Sequence, residues 1–119
     1  MLTLDLNSSK PLYLEISNAI IKLILNGTFK ARDKLPSIRS LSKSLSINHN
    51  TVQRAYLELE HRGFIYSQSG KGMYVKDNIE KLCLQEKSKI INSFKDKMND
   101  LKELGFNQTN IIDIVKENY

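Results

Sequence analysis

The sequence predicts a mainly helical α+β fold, with a winged helix-turn-helix domain over residues 10–77 and a two-helix segment over residues 78–119. Three runs predict it: Leu-Pro-Ser-Ile-Arg from Leu35 to Arg39, Asn-His-Asn-Thr-Val from Asn48 to Val52, and Gly-Lys-Gly from Gly70 to Gly72. The first two are helix starts separated by room for one short helix and a tight turn. The third is a glycine-flexed basic hairpin tip. Two such helices followed by a small ribbon form a device for holding duplex DNA.

Each element has a local cause. Pro11 suits a first helical position, and Leu12, Ile16, Ile20, Leu23 and Ile24 recur at helical spacing behind it. Asn26-Gly27 ends this helix, because glycine adopts the left-handed conformation cheaply. A turn through Ala31-Arg32-Asp33 leads to a very short strand at Lys34-Leu35, which Pro36 keeps extended. Ser37 can cap a second helix with Ile38, Leu41 and Leu45 on its buried face. Ser46-Ile47 turns the chain, and Asn48 or Asn50 caps a third helix that buries Val52, Ala55, Tyr56 and Leu59 and ends at Gly63. Phe64-Ile65-Tyr66 and Met73-Tyr74-Val75 read as strands around a loop from Ser67 to Gly72.

After Asp77 the pattern changes. Leu84, Ile91 and Met98 are seven apart, with Phe94 and Leu101 at the intervening seam positions, so a long helix is expected over about residues 79–104. Lys87 interrupts the stripe, Gly105 breaks the helix, and Asn107 can cap a last helix carrying Ile111, Ile114 and Val115. This segment has too few apolar residues for a core of its own. Leu84, Ile91, Phe94, Met98 and Leu101 are therefore the candidate dimerisation seam, covered by a second copy.

Charge agrees with this division. Of the net +5, residues 1–77 carry 11 Lys and Arg against 6 Asp and Glu, and residues 78–119 carry 7 against 7. The basic part is the one with the helix-turn-helix pattern, as expected if it meets phosphates. No apolar run is long enough to span a membrane, and Met1 to Asn7 lacks the character of a signal peptide. One cysteine, Cys83, allows no internal disulfide and packs as a small apolar group. The expected location is the cytoplasm, on the nucleoid when bound to DNA. His49 and His61 match no metal-site spacing, and no nucleophile–base pair, paired-carboxylate motif or phosphate loop is present. Neither an enzyme, a metal nor a cofactor is expected.

The candidate DNA-binding residues are Ser37, Arg39, Asn48, His49, Asn50, Thr51, Gln53, Arg54, Gly70, Lys71 and Gly72. Asn50 and Gln53 suit bidentate contact with adenine, and Arg39 or Arg54 suits guanine or phosphate. The plainer alternative makes Asn48 and Asn50 caps only and Arg54 a solvated charge. Lys71 between two glycines can approach phosphate or the minor groove closely, though the same loop would serve as a flexible turn.

Taken together, Pro11-Leu-Tyr13, the Leu35–Arg39 run, Asn50-Thr-Val52, the Tyr56–Glu60 run, Gly63-Phe-Ile65 and Gly70-Lys-Gly72 resemble the winged-helix domain of the GntR family of bacterial transcription regulators. The resemblance spans about residues 10–76, and the tail resembles the YtrA-type subfamily, whose two short helices dimerise and whose genes often neighbour transporter genes. It implies contacts at Arg39, at Asn48, His49, Asn50, Thr51 and Gln53, and at Gly70 and Lys71. Many members have Arg or Pro at the position of His49 and some have Arg at that of Gln53, so the operator sequence does not transfer. Ala31-Arg32 replaces the usual Pro-Gly, so a different turn with an added positive charge is expected. The implied function is a dimeric, sequence-specific repressor that blocks promoter access, with double-stranded operator DNA as partner and room for an unidentified small-molecule effector. The alternative is a winged-helix adaptor that binds protein instead of DNA, since fold alone does not set function. Salt-sensitive duplex binding separates the two.

Overall fold

In this computed structural model the described residues are Leu2, Leu4 and residues 9–119. The reading of Met1–Asn7 as lacking a signal peptide otherwise falls outside them. The element order is α1 (Leu12–Leu25), α2 (Ile38–Leu45), α3 (His49–His61), β1 (Ile65–Gln68), β2 (Gly72–Val75), α4 (Glu80–Glu103) and α5 (Gln108–Asn118). The fold is thus mainly helical, with a small antiparallel sheet. The chain forms two compact units, Met1–Cys83 and Leu84–Tyr119.

The first unit is built around α3, which packs on α1, on α2 and on β1. Val52, Ala55 and Leu59 on α3 are wholly buried against Ile16, Ile20 and Ile24 of α1, Leu41 of α2, and Phe64, Ile65 and Val75 of the hairpin. Pro11 lies one position outside α1, with an extended ψ of 145°. Its carbonyl accepts from the N–H groups of Leu14 and Glu15 at 3.0 and 3.2 Å. Ser37 caps α2 by accepting the Ser40 N–H at 3.0 Å, and Asn48 caps α3 by accepting the Asn50 N–H at 2.7 Å. Between these helices Ser46 takes a left-handed conformation (φ 55°), which turns the chain within three residues.

The hairpin pairs Ile65 with Val75 and Gln68 with Gly72, so only Ser69, Gly70 and Lys71 lie outside the strands. The expected loop from Ser67 to Gly72 is therefore tighter than its composition suggested. Gly70 and Gly72, at φ 73° and 116°, let the strands continue almost to the tip. Lys34 forms a single bridge to Tyr74, and the Leu35 N–H donates to the Met73 carbonyl at 2.9 Å. The short strand at Lys34-Leu35 is thus one bridge on the edge of the wing. Arg32 adopts a left-handed conformation (φ 70°), and its guanidinium meets Asp77 at 3.1 Å. Ile79 completes the core, with Leu82 and Cys83 packed beside it. This compact unit therefore extends past the expected boundary at residue 77.

The second unit comprises the rest of α4 and α5. Gly105 (φ 93°) separates the helices, and Asn107 and Asn110 form a reciprocal capping box at the start of α5. No helix among the described residues is long and apolar enough to cross a membrane.

Candidate nucleic-acid interface

The proposed reading surface begins with how α3 is held. Tyr56 is 1% exposed, and its hydroxyl donates to the Pro36 carbonyl at 2.6 Å. Burial pushes its pKa well above the ordinary tyrosine value, so the phenol stays neutral and a donor. This bond ties α3 to the residue immediately before the Ser37 cap. The start of α2, with Ser37 and Arg39 exposed on it, is therefore oriented relative to α3. Just past the C-terminal end of α3, Arg62 donates to Asn18 Oδ1 on α1 at 3.3 Å, and its guanidinium lies over the Phe64 ring. The α3 helix is consequently anchored at its middle and just past its C-terminal end.

Opposite the buried face, Asn48, His49, Asn50, Gln53 and Arg54 are exposed and Thr51 is half-buried. Asn48 uses its side-chain oxygen as a cap, which leaves Asn50 the freer of the two amides. Asn50, Thr51 and Arg54 line one open cleft with Leu12 and Tyr13 from the start of α1. Arg54 is not a freely solvated charge: its guanidinium lies over the Tyr13 ring, 4.0 Å from the centroid.

On the wing, Gly70, Lys71 and Gly72 are exposed. The Lys71 carbonyl accepts from Tyr74, whose ring stacks on Tyr66 at 5.8 Å. A methyl at Gly72 would stand 3.2 Å from Cε of Lys34, so Lys34 runs alongside the wing strand and adds a second ammonium near Lys71. Lys34 and Tyr13 were not among the DNA-binding residues expected from the sequence. Their signal was tertiary: each acquires its place from a residue distant in the chain.

The candidate seam of the tail divides in two. Leu84, Ile91 and Phe94 are each more than half exposed, as is Ile90, which the heptad spacing missed. Met98 and Leu101 are half-buried. Met98 lines a cleft of about 560 Å³ with Phe106, Ile111 and Ile112 of the α5 segment.

Residues 12–75, more than half of the chain, match the family described as bacterial regulatory proteins, gntR family. The chain is 38% identical over 91 residues to the HTH-type transcriptional repressor YtrA of Bacillus subtilis (strain 168), covering 76% of this chain and 70% of that protein. A GntR family transcriptional regulator from Listeria monocytogenes superposes with a TM-score of 0.80 at 35% identity, covering 93% of this chain and 97% of the other. YtrA from Sulfolobus acidocaldarius, a GntR-family transcription factor, superposes at 0.62 with 37% identity, covering 77% and 97%. With the paired helices, the three-residue turn and the wing in the order this family requires, the chain belongs to the GntR family of DNA-binding bacterial transcription regulators, in its YtrA-type branch.

Proposed function

We propose that the chain acts as a homodimeric, sequence-specific repressor that binds a two-fold operator in the cytoplasm and blocks promoter access at transporter genes. One observation carries the DNA-reading part: His49, Asn50, Gln53 and Arg54 are exposed on α3, while Val52, Ala55, Tyr56 and Leu59 of the same helix are buried. A helix so clamped presents short polar groups at its N-terminal turn without freedom to retreat, the geometry that base-edge readout needs. Asn50 and Gln53 are the base readers in this reading. Arg39, Lys71 and Lys34 supply phosphate attraction.

Dimerisation through the tail is supported by the absence of any fully buried residue in α4 or α5 among those described, although α4 carries Leu84, Ile90, Ile91 and Phe94 in the open. Several large apolar side chains exposed on one helix suit an interface. The repressor assignment is supported by the name of the Bacillus subtilis relative. The test is a duplex selected from a random pool by the protein, compared with a scrambled duplex across a salt series. Preference for the selected duplex with a steep salt dependence is expected. Equal binding to both, or none, overturns sequence-specific regulation, and capture of a stable protein partner alongside that loss favours the adaptor. Deleting the gene is expected to raise transcription from its own promoter; a fall would make the protein an activator.

A further inference from the structure

The cleft beside α3 brings together Arg54 and Tyr13, which the base-reading proposal does not use. Its volume is about 290 Å³, and Leu12 and Tyr13 form one wall while Asn50, Thr51 and Arg54 form the other. The Arg54 guanidinium carbon lies over the Tyr13 ring, 4.0 Å from its centroid. Among the described residues no carboxylate lies within ion-pair distance of it. A cation–π contact holds the guanidinium at the cleft while leaving its five N–H donors for another acceptor. The head group is thus held by an uncharged partner, with its charge uncompensated. The same cleft receives the first turn of α1, which begins at Pro11 without a side-chain cap and adds a weaker positive field. Thr51 and Asn50 bring short polar side chains to its edge. An unpaired guanidinium held beside polar groups at a helix start suits a tetrahedral oxyanion.

We propose that this cleft seats one backbone phosphate of bound duplex DNA, with Arg54 as its ligand and Tyr13 as the residue that holds the Arg54 fork in place. The proposal rests on the DNA-binding reading above and assigns Arg54 a positioning contact that contributes affinity without sequence preference. The contact across the α1–α3 junction thus assigns this arginine of the reading helix to the backbone and not to a base. Its guanidinium is engaged with Tyr13 of α1, in the cleft that Asn50 and Thr51 also line.

The test measures full-length variants on the selected and scrambled duplexes across a salt series. Arg54→Ala is expected to weaken both duplexes by the same factor, about tenfold, and to make the salt slope shallower by about 0.9 per protomer. Arg54→Lys keeps the charge and is expected to restore the slope while leaving affinity below that of the wild type. Tyr13→Leu is expected to weaken binding about two- to fivefold in the wild-type background, with the slope unchanged. In the Arg54→Ala background it is expected to have no further effect, and Tyr13→Phe is expected to match the wild type. The proposal is overturned if Arg54→Ala changes the sequence recovered from a fresh selection, or leaves affinity and slope unaltered. It is equally overturned if Tyr13→Leu weakens binding by the same factor in both backgrounds, since Tyr13 then acts through the fold and not through Arg54. Wild-type protein that binds neither duplex overturns the regulator reading itself, and this site with it. Melting temperatures of the exposed-site variant Arg54→Ala and of Arg54→Lys are expected to match the wild type, which separates contact loss from unfolding.

Discussion

Gln53 and Lys71 are both exposed and polar, yet they stand on very different supports. Gln53 projects from a helix whose neighbouring residues Val52 and Tyr56 are buried and whose C-terminal cap is tied to α1, whereas Lys71 occupies a three-residue hairpin tip flanked by left-handed glycines. Rigid placement is what bidentate base contact demands, and a mobile ammonium serves a phosphate equally well at any sequence. Gln53→Ala is therefore expected to lower affinity for the selected duplex by about 1–3 kcal/mol and to relax base preference. Lys71→Ala is expected to weaken both duplexes alike and reduce the salt slope by roughly one. Titration of each variant on both duplexes checks the pair, and an exchange of the two patterns would show that the wing reads and the helix positions. Tyr56 supplies a second residue-scale prediction. Tyr56→Phe removes the donor to Pro36 and is expected to lower stability by about 1 kcal/mol, measured by urea unfolding. Because the buried phenol holds its proton longer than the unfolded one, this contribution is complete below the unfolded pKa of about 10. Above that pH the unfolded state releases the proton first, so stability falls as pH rises, and Tyr56→Phe is expected to flatten that decline.

At the scale of elements, three connections carry non-glycine residues in the left-handed region. Arg32 at φ 70° sits in the turn before the Lys34 bridge, Ser46 at φ 55° joins α2 to α3, and Asn78 at φ 56° lies between β2 and α4. An L residue there is less favourable than glycine by roughly 1 kcal/mol. Its exposed pair with Asp77 offsets little of that. Arg32→Gly is accordingly expected to raise the thermal midpoint by a few degrees, about 0.5–1 kcal/mol at most; a lowered midpoint would mean that the ion pair outweighs the strain. Gly72→Ala works in the opposite direction. At φ 116°, with Lys34 Cε 3.2 Å from the added methyl, it forces both backbone strain and displacement of Lys34. Loss of wing order in hydrogen exchange, with amides of β1 and β2 losing protection before those of α3, is the expected result.

For the whole molecule, the winged unit has a closed core and the tail does not. Ile79 is 9% exposed, so a truncation at residue 77 would strip a core side chain as well as the tail. Substituting exposed seam residues tests assembly more cleanly. Ile91→Glu combined with Phe94→Glu leaves every buried residue of the chain in place, and it introduces charge where a second copy is proposed to pack. Sedimentation is expected to change from dimer to monomer at micromolar concentration. Operator affinity is expected to fall by about 10²–10⁴-fold, as two linked half-site contacts become one. A wild-type chain that sediments as a monomer would remove the basis of the two-fold operator.

The amino-acid sequence by itself determined the order and type of the elements, because their causes are local. A cap such as Ser37 or Asn48 depends on the N–H of a residue two or three positions ahead, and Gly63 and Gly105 stop helices through their own backbone freedom. Hydrophobic spacing likewise identified Val52, Ala55, Tyr56 and Leu59 as one buried face, since helical period and burial are two aspects of the same geometry. Strand ends were less legible: Gln68 and Gly72 joined the ladder because cross-strand pairing decides where a hairpin loop stops. Which exposed residues face one another was decided only in three dimensions. Arg54 meets Tyr13 because α3 crosses α1, Lys34 lies along Gly72 because a single bridge draws it to the wing, and Tyr56 reaches Pro36 because α3 packs on α2. Spacing along the chain carries no record of such partners. They are set by how amphipathic faces close on one core, and that closure depends on the whole unit at once.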